Sequence, residues 1–115
     1  LGYSTQFGDA ACAFNPIGDL YKTNVWELSR YLNIPKELIE KKPSADLWEG
    51  QTDEQEMGLT YKEADQVLYR MLEENKTTEE ILNEGFDKSL VENIVRRMNR
   101  SEYKRRMPLI AKIKR

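Results

Sequence analysis

The chain of 115 residues contains no histidine. That removes Ser-His-Asp and Cys-His nucleophile pairs, and it leaves a structural zinc site without one of its commonest donors. Cys12 is the only cysteine. No disulfide can form within the chain, and a reducing, cytoplasmic setting fits. Flanked by Ala11 and Ala13, Cys12 reads as a small buried packing residue. No apolar run approaches the length of a bilayer span, and no stretch has the pattern of a signal peptide. Apolar residues make up 39% of the chain and charged residues 33%, a mix that disfavours a large buried sheet but suits one domain with one core. The net charge of −2 gives no overall pull toward nucleic acid. Internal repeats and low-complexity tracts are absent from the sequence.

What is present is asymmetric. The middle is acidic, whereas residues 96–115 carry nine Lys and Arg against a single acid, Glu102. Residues 1–19 are rich in glycine, and we expect a short strand near residues 1–3 followed by extended loop. A Gly8-Asp9 turn would then lie at the carboxyl end of that strand, the edge at which open α/β sheets bind ligands; ordinary turn chemistry explains the same pair. Val25, Leu28 and Leu32 recur at helical spacing, with Tyr21 and Trp26 beside them, which predicts a helix from about Asp19 or Thr23 to Leu32. Asn33 is a stop signal, and Pro35 opens a short helix to about Lys41. Lys22 falls at the start of the first helix, where the dipole favours anions, a mild conflict that hints at a ligand's negative charge.

Thr60 and Glu63 form one capping-box pattern, and Thr77 and Glu80 a second. Tyr61, Ala64, Leu68, Met71 and Leu72 make an apolar stripe on a helix reaching about Glu73. The helix after Thr77 should stop at Gly85. Asp87 caps another, with Val91, Ile94, Val95 and Met98 on its buried face. The link between these two is short enough for antiparallel packing. Met107, Leu109, Ile110 and Ile113 thread the basic tail.

Residues 42–58 fit neither period. Pro43 and Gly50 break a helix, and the stretch carries two hydroxyls, five carboxylates and Trp48. An irregular connection this long in a compact chain is a functional loop or a disordered one. The composition suits a lid, open when empty and ordered over a polar ligand, with Ser44, Asp46, Asp53 and Glu54 as its polar residues.

The wording Pro43-Ser44-Ala45-Asp46-Leu47-Trp48-x-Gly50-Gln51-Thr52-Asp53-Glu54-x-Glu56-x-Gly58-x-x-Tyr61 resembles the NAD synthetases, in their ammonia-dependent form. Two further segments match in order. Upstream are Leu1-Gly2-Tyr3-Ser4-Thr5-Gln6-Phe7-Gly8-Asp9 and Asn15-Pro16-Ile17-Gly18-Asp19-Leu20-Tyr21-Lys22-Thr23. Downstream are Ser101-Glu102-Tyr103-Lys104-Arg105 and Pro108. The resemblance implies an α/β parent fold, Rossmann-like and adenine-nucleotide α-hydrolase-like, of the ATP-pyrophosphatase type. It implies that this chain is the C-terminal part of one synthetase domain: residues 1–41 strand, loop and first helices, 42–58 mobile active-site loop, 59–115 C-terminal helices and basic tail. The family's Ser-Gly-Gly phosphate loop does not occur here, so an N-terminal half is the implied partner, and the chain alone should be inactive.

The resemblance further implies the chemistry. Deamido-NAD, ATP and ammonia are the substrates, Mg²⁺ is the cofactor, and the assembly is a homodimer. Lys22 matches a lysine on the ATP phosphates, and Ser44 a loop hydroxyl that bonds the nucleotide. Asp9 matches an aspartate near the reacting centre. Tyr103 and Lys104 match a His-Lys pair that reaches deamido-NAD, with Tyr in place of His. The metal-binding glutamate of the family precedes Leu1, so no metal ligand is assigned in this chain. Gln6 stands where many members have a Lys, and Ala13 where they have an Asp, so the contacts to deamido-NAD must differ in detail. The nitrogen source, free ammonia or a glutaminase, stays open. The residues alone also admit a helical nucleic-acid-binding module using Arg96, Arg97, Arg100, Tyr103, Lys104, Arg105 and Arg106, or an adenylating ligase with another acceptor. No stacking-platform motif supports the first of these.

Overall fold

The computed structural model describes residues 1–8, 11–106 and 110–112. These residues form helices α1 (Lys22–Tyr31), α2 (Lys36–Glu40), α3 (Asp53–Met57), α4 (Tyr61–Leu72), α5 (Thr78–Asn83) and α6 (Lys88–Arg100), then a 3₁₀ turn, Glu102–Arg105. No strand occurs among the described residues.

The helix signals act as local chemistry dictates. Thr60 and Thr77 each accept the backbone N–H of the glutamate three positions on, and each glutamate carboxylate accepts the threonine N–H in return. Asp87 accepts the N–H of Leu90 at 3.0 Å and starts α6. Helix α1 ends in a Schellman turn: Asn33 is left-handed at φ 55, its N–H donates to Arg30, and the N–H of Ile34 donates to Ser29.

The core gathers Met57, Leu59, Ala64, Val67, Leu68, Ile81, Val91 and Ile94. It therefore lies where α4, α5 and α6 meet, closed at one end by the α3–α4 junction. Helix α1 packs on α4 and α2 but buries no residue fully. The radius of gyration, 16.8 Å, exceeds the roughly 13 Å of a compact chain of this length. Phe14, Tyr31, Leu38 and Leu47 are among the large apolar side chains left in solvent.

One expectation is unconfirmed and three are corrected. Residues 1–3 do not form a strand. Leu1 and Tyr3 pack on the core edge, and the carbonyls of Gly2 and Ser4 accept from the Lys104 ammonium instead of a neighbouring strand. Cys12 is exposed, because the segment around it has no core to enter. Leu72 is 52% exposed while Val67 is fully buried: the stripe on α4 is rotated from the one expected, toward α5 and α6. Residues 42–58 are irregular only in part, since Asp53–Met57 is helical and Met57 is buried. In the tail, Ile110 is exposed; Met107, Leu109 and Ile113 lie outside the described residues.

Candidate nucleotide-binding site

Lys22 and Ser44 line one cleft of about 250 Å³, with Trp26, Ser29, Leu38 and Lys42 among its other walls. Helix α1 delivers Lys22 at its first residue, and the turn between α1 and α2 swings residues 41–44 back beside it. Among the described residues the Lys22 ammonium has no hydrogen-bond or ion-pair partner. It lies 5.9 Å from the centre of the Trp26 ring and 5.7 Å from that of Tyr61. The N–H groups at this helix start are not all free, as a phosphate site would prefer. The carboxylate of Asp65 accepts the N–H of Thr23 at 2.7 Å.

Ser44 Oγ accepts the N–H of Asp46 at 3.0 Å, and Asp46 is ion-paired with Lys41 at 3.0 Å. The ends of this loop are tied, because Asp53 N–H donates to the Pro43 carbonyl at 2.9 Å. Residues 43–53 thus close on themselves as an Ω-loop.

Past that neck the motif residues serve structure. Thr52 caps α3. Asp53 accepts the Tyr61 hydroxyl at 3.0 Å, and Glu54 accepts the Tyr61 N–H at 2.8 Å. Glu56 accepts from the Tyr3 hydroxyl and, at 2.9 Å, from buried Gln51, whose own carbonyl takes the Leu47 N–H at 2.8 Å. Gly58 supplies the left-handed end at φ 67. Burial, followed by the hydrogen bond to Asp53, pushes the Tyr61 phenol well above its ordinary value. The bond to Glu56 likewise raises Tyr3. The roles of Gln51, Glu56, Asp65 and Trp26 were not read from the sequence, although Gln51 and Glu56 stand in the motif itself.

Tyr103 and Lys104 line a second cleft, of about 340 Å³, with Arg96, Arg97 and Arg100. Lys104 donates to the Gly2 carbonyl at 2.7 Å and to that of Ser4, leaving one of its three N–H groups over. Arg97 is occupied by the carbonyls of Glu56 and Met57, at 3.1 and 3.0 Å, where it closes the end of α3. Arg100 has no partner among the described residues, so the cleft presents a positive wall. Gln6 is half-buried and Ala13 exposed. Asp9 lies outside the described residues. The structure therefore joins Lys22 to Ser44 and Tyr103 to Lys104, but in different clefts.

A helical segment with two cation-lined clefts defines a class, one that can meet anionic ligands. The comparisons specify the family. The NAD synthase family matches residues 1–108, and the chain belongs to that family. It is 89% identical over 115 residues to the NH(3)-dependent NAD(+) synthetase of Fusobacterium nucleatum, covering all of this chain and 45% of the relative. Against the enzyme of the same name from Trichlorobacter lovleyi it is 55% identical, covering 98% of this chain and 41% of the relative. A solved structure, NMN synthetase from Francisella tularensis, superposes with a TM-score of 0.74 at 39% identity, covering 97% of this chain and 42% of that one. The chain thus spans less than half the length of the relatives it matches. Family and neighbour fit a parent fold of the ATP-pyrophosphatase type. No helix among the described residues is long and apolar enough to cross a membrane.

Proposed function

We propose that this chain forms part of an ATP-dependent amide-forming ligase that converts deamido-NAD and ammonia to NAD. The observation that carries the reading is the convergence of Lys22 and Ser44 on one cleft, in a chain of the NAD synthase family. A carboxylate does not react with ammonia. Its oxygen first attacks the α-phosphorus of ATP, and pyrophosphate leaves. Ammonia then attacks the carbonyl carbon of the acyl-adenylate, and AMP leaves. Charge on the phosphate oxygens grows in the first step, and the Lys22 ammonium supplies a full opposite charge within the cleft. Ser44 Oγ serves the nucleotide as a donor once residues 42–52 reorder over it as a lid.

The second cleft suits the acceptor. Arg96, Arg100 and the remaining N–H of Lys104 face the pyrophosphate bridge, and the Tyr103 ring offers a base a stacking surface. Asp9 belongs near the reacting centre on the family pattern alone. Mg²⁺ would neutralise phosphate charge when bound, but no three Asp, Glu or Cys side chains gather as a metal site among the described residues. No step is assigned to it here. The same proposal places the working enzyme in the cytoplasm as a homodimer.

A second reading changes the acceptor to a mononucleotide, favoured by the likeness to an NMN synthetase. The test uses the full-length protein with ATP, ammonia and either deamido-NAD or nicotinate mononucleotide, following amide product and AMP together. Amidation of deamido-NAD in preference supports the first reading, and amidation of the mononucleotide supports the second. AMP release with neither acceptor defeats both. The 115-residue chain by itself is expected to form no NAD, since most of the stabilisation comes from positioning the triphosphate.

A further inference from the structure

We propose that Tyr61 is a positioning residue for the Lys22 ammonium, and that it links the neck of the 43–53 loop to the nucleotide cleft. The proposal deepens the ligase reading and rests on it. Lys22 and Trp26 are one turn apart on α1, so both side chains share a face. The Tyr61 ring, at the first residue of α4, meets the Trp26 ring edge to face, with centres 6.1 Å apart and planes at 87°. The Lys22 nitrogen lies within 6 Å of both ring centres, the range in which a ring face attracts an ammonium. A lysine has four rotatable bonds and no preferred direction in water. Two aromatic faces are what restrict it here, since no carboxylate among the described residues pairs with it.

Tyr61 is itself held from α3. Its hydroxyl donates to Asp53 and its N–H to Glu54. Asp53 also donates its own N–H to the Pro43 carbonyl, which closes the loop that carries Ser44. One residue thus touches the loop neck and the ring that orients Lys22. Tyr61 does not line the cleft, so any effect of changing it on ATP must pass through another residue. An open neck would loosen Asp53, free the Tyr61 ring and release the ammonium. A closed neck sets Ser44 and Lys22 together.

The experiment is a double-mutant cycle in the full-length enzyme. ATP affinity is measured by calorimetry with Mg²⁺ present, kcat and KM by turnover of deamido-NAD, and folding by thermal melt. Lys22→Ala is expected to lower turnover on the order of a hundredfold. Tyr61→Leu is expected to weaken ATP use roughly tenfold, leaving the KM for deamido-NAD unchanged. In the Lys22→Ala background, Tyr61→Leu should then add nothing. Tyr61→Phe keeps the ring but cuts the bond to Asp53, so it should lose less ATP use than Tyr61→Leu yet fall short of wild type; wild-type ATP use in Tyr61→Phe would overturn the link to the loop neck. If Tyr61→Leu costs the same factor with Lys22 present or absent, Tyr61 is a packing residue and the proposal is overturned. If Lys22→Ala weakens ATP binding but Tyr61→Leu does not, the positioning role alone fails. If Lys22→Ala changes neither ATP affinity nor turnover, the positioning role fails because Lys22 has no phosphate to meet. If ATP binding shows the coupling but no amide forms from either acceptor, the ligase reading fails and the positioning role stands. Should Tyr61→Leu not fold, Tyr61→Met, which also removes the ring, takes its place in the same cycle.

Discussion

The carboxylate of Asp65 on α4 accepts the backbone N–H of Thr23 in the first turn of α1, at 2.7 Å across 42 positions of sequence. Tyr21, which precedes α1, offers no side-chain cap. A distant residue therefore does what a local Ser or Asp usually does, and it also joins two helices. Asp65 is only 8% exposed, so Asp65→Ala leaves an N–H without its partner in a partly buried place. The expected loss is about 1–2 kcal/mol of stability. Asp65→Asn keeps an acceptor and should lose less. Urea unfolding of the full-length protein checks both, and equal stability of the Ala variant would show that the contact contributes nothing.

Gly2 lies against Ser101. A Cβ built on Gly2 would stand 2.1 Å from the Cβ of Ser101, and φ at Gly2 is +65. Gly2→Ala should undock residues 1–4 and release Lys104 from their carbonyls. Gly2→Ala with Ser101→Gly relieves the contact but keeps the backbone strain, about 1 kcal/mol. Partial recovery of the melting temperature in the double variant is the expected result. No recovery would place the cost elsewhere.

The pH dependence of stability has two limbs. Lys76 and then Arg70 hold the Glu84 carboxyl below its ordinary value. The Thr77 N–H and hydroxyl do the same for Glu80, and Ser89 with the Leu90 N–H for Asp87. A depressed carboxyl contributes stability that is present above its unfolded value and lost as pH falls through the folded one. Stability should therefore decline below the ordinary values of 4.5 for Glu and 3.8 for Asp. Burial, with the bond to Glu73, pushes Tyr21 up to about 12 from 10.0. That contribution is complete below 10.0 and is lost as pH rises toward about 12. Melting temperature against pH reads both limbs. Glu84→Gln should flatten the acid limb and Tyr21→Phe the alkaline one.

Hydrogen exchange should divide the 42–58 stretch at its neck. Amides of residues 45 and 48–50 are expected to exchange fast without nucleotide, because these residues are exposed and their N–H groups donate no hydrogen bond among the described residues. Those of Met57 and Leu59 are expected to be protected, because both side chains are core. Addition of ATP should slow the first group and leave the second alone. Uniform protection before ATP would remove the lid.

How much of this was legible in the sequence depends on the range of the forces involved. The Thr60, Thr77 and Asp87 caps, the Asn33 stop and the Pro35 start were all readable, since each is a bond between residues within a turn of one another. So was the family wording, because a motif keeps residue identities in a fixed order along the chain. The strand expected near residues 1–3 is unconfirmed: a strand exists only if another chain segment pairs with it, and among the described residues the Lys104 ammonium donates to its carbonyls instead. Part of the 42–58 stretch is ordered structure. Periodicity marks residues 53–57 as irregular, and only the docked structure shows that Met57 is in the core while Asp53 and Glu54 fasten Tyr61.

By itself the sequence determined the family, the helical character and the local caps, because these follow from identity and spacing along the chain. Tertiary structure decided which face of α4 is buried, what caps α1, and which side of the acidic stretch is anchored. It also decided that the Lys22 ammonium lies within 6 Å of two rings that come from different helices. Each of these depends on residues tens of positions apart meeting in space. Such meetings are set by the packing of the whole core, and no local pattern encodes them.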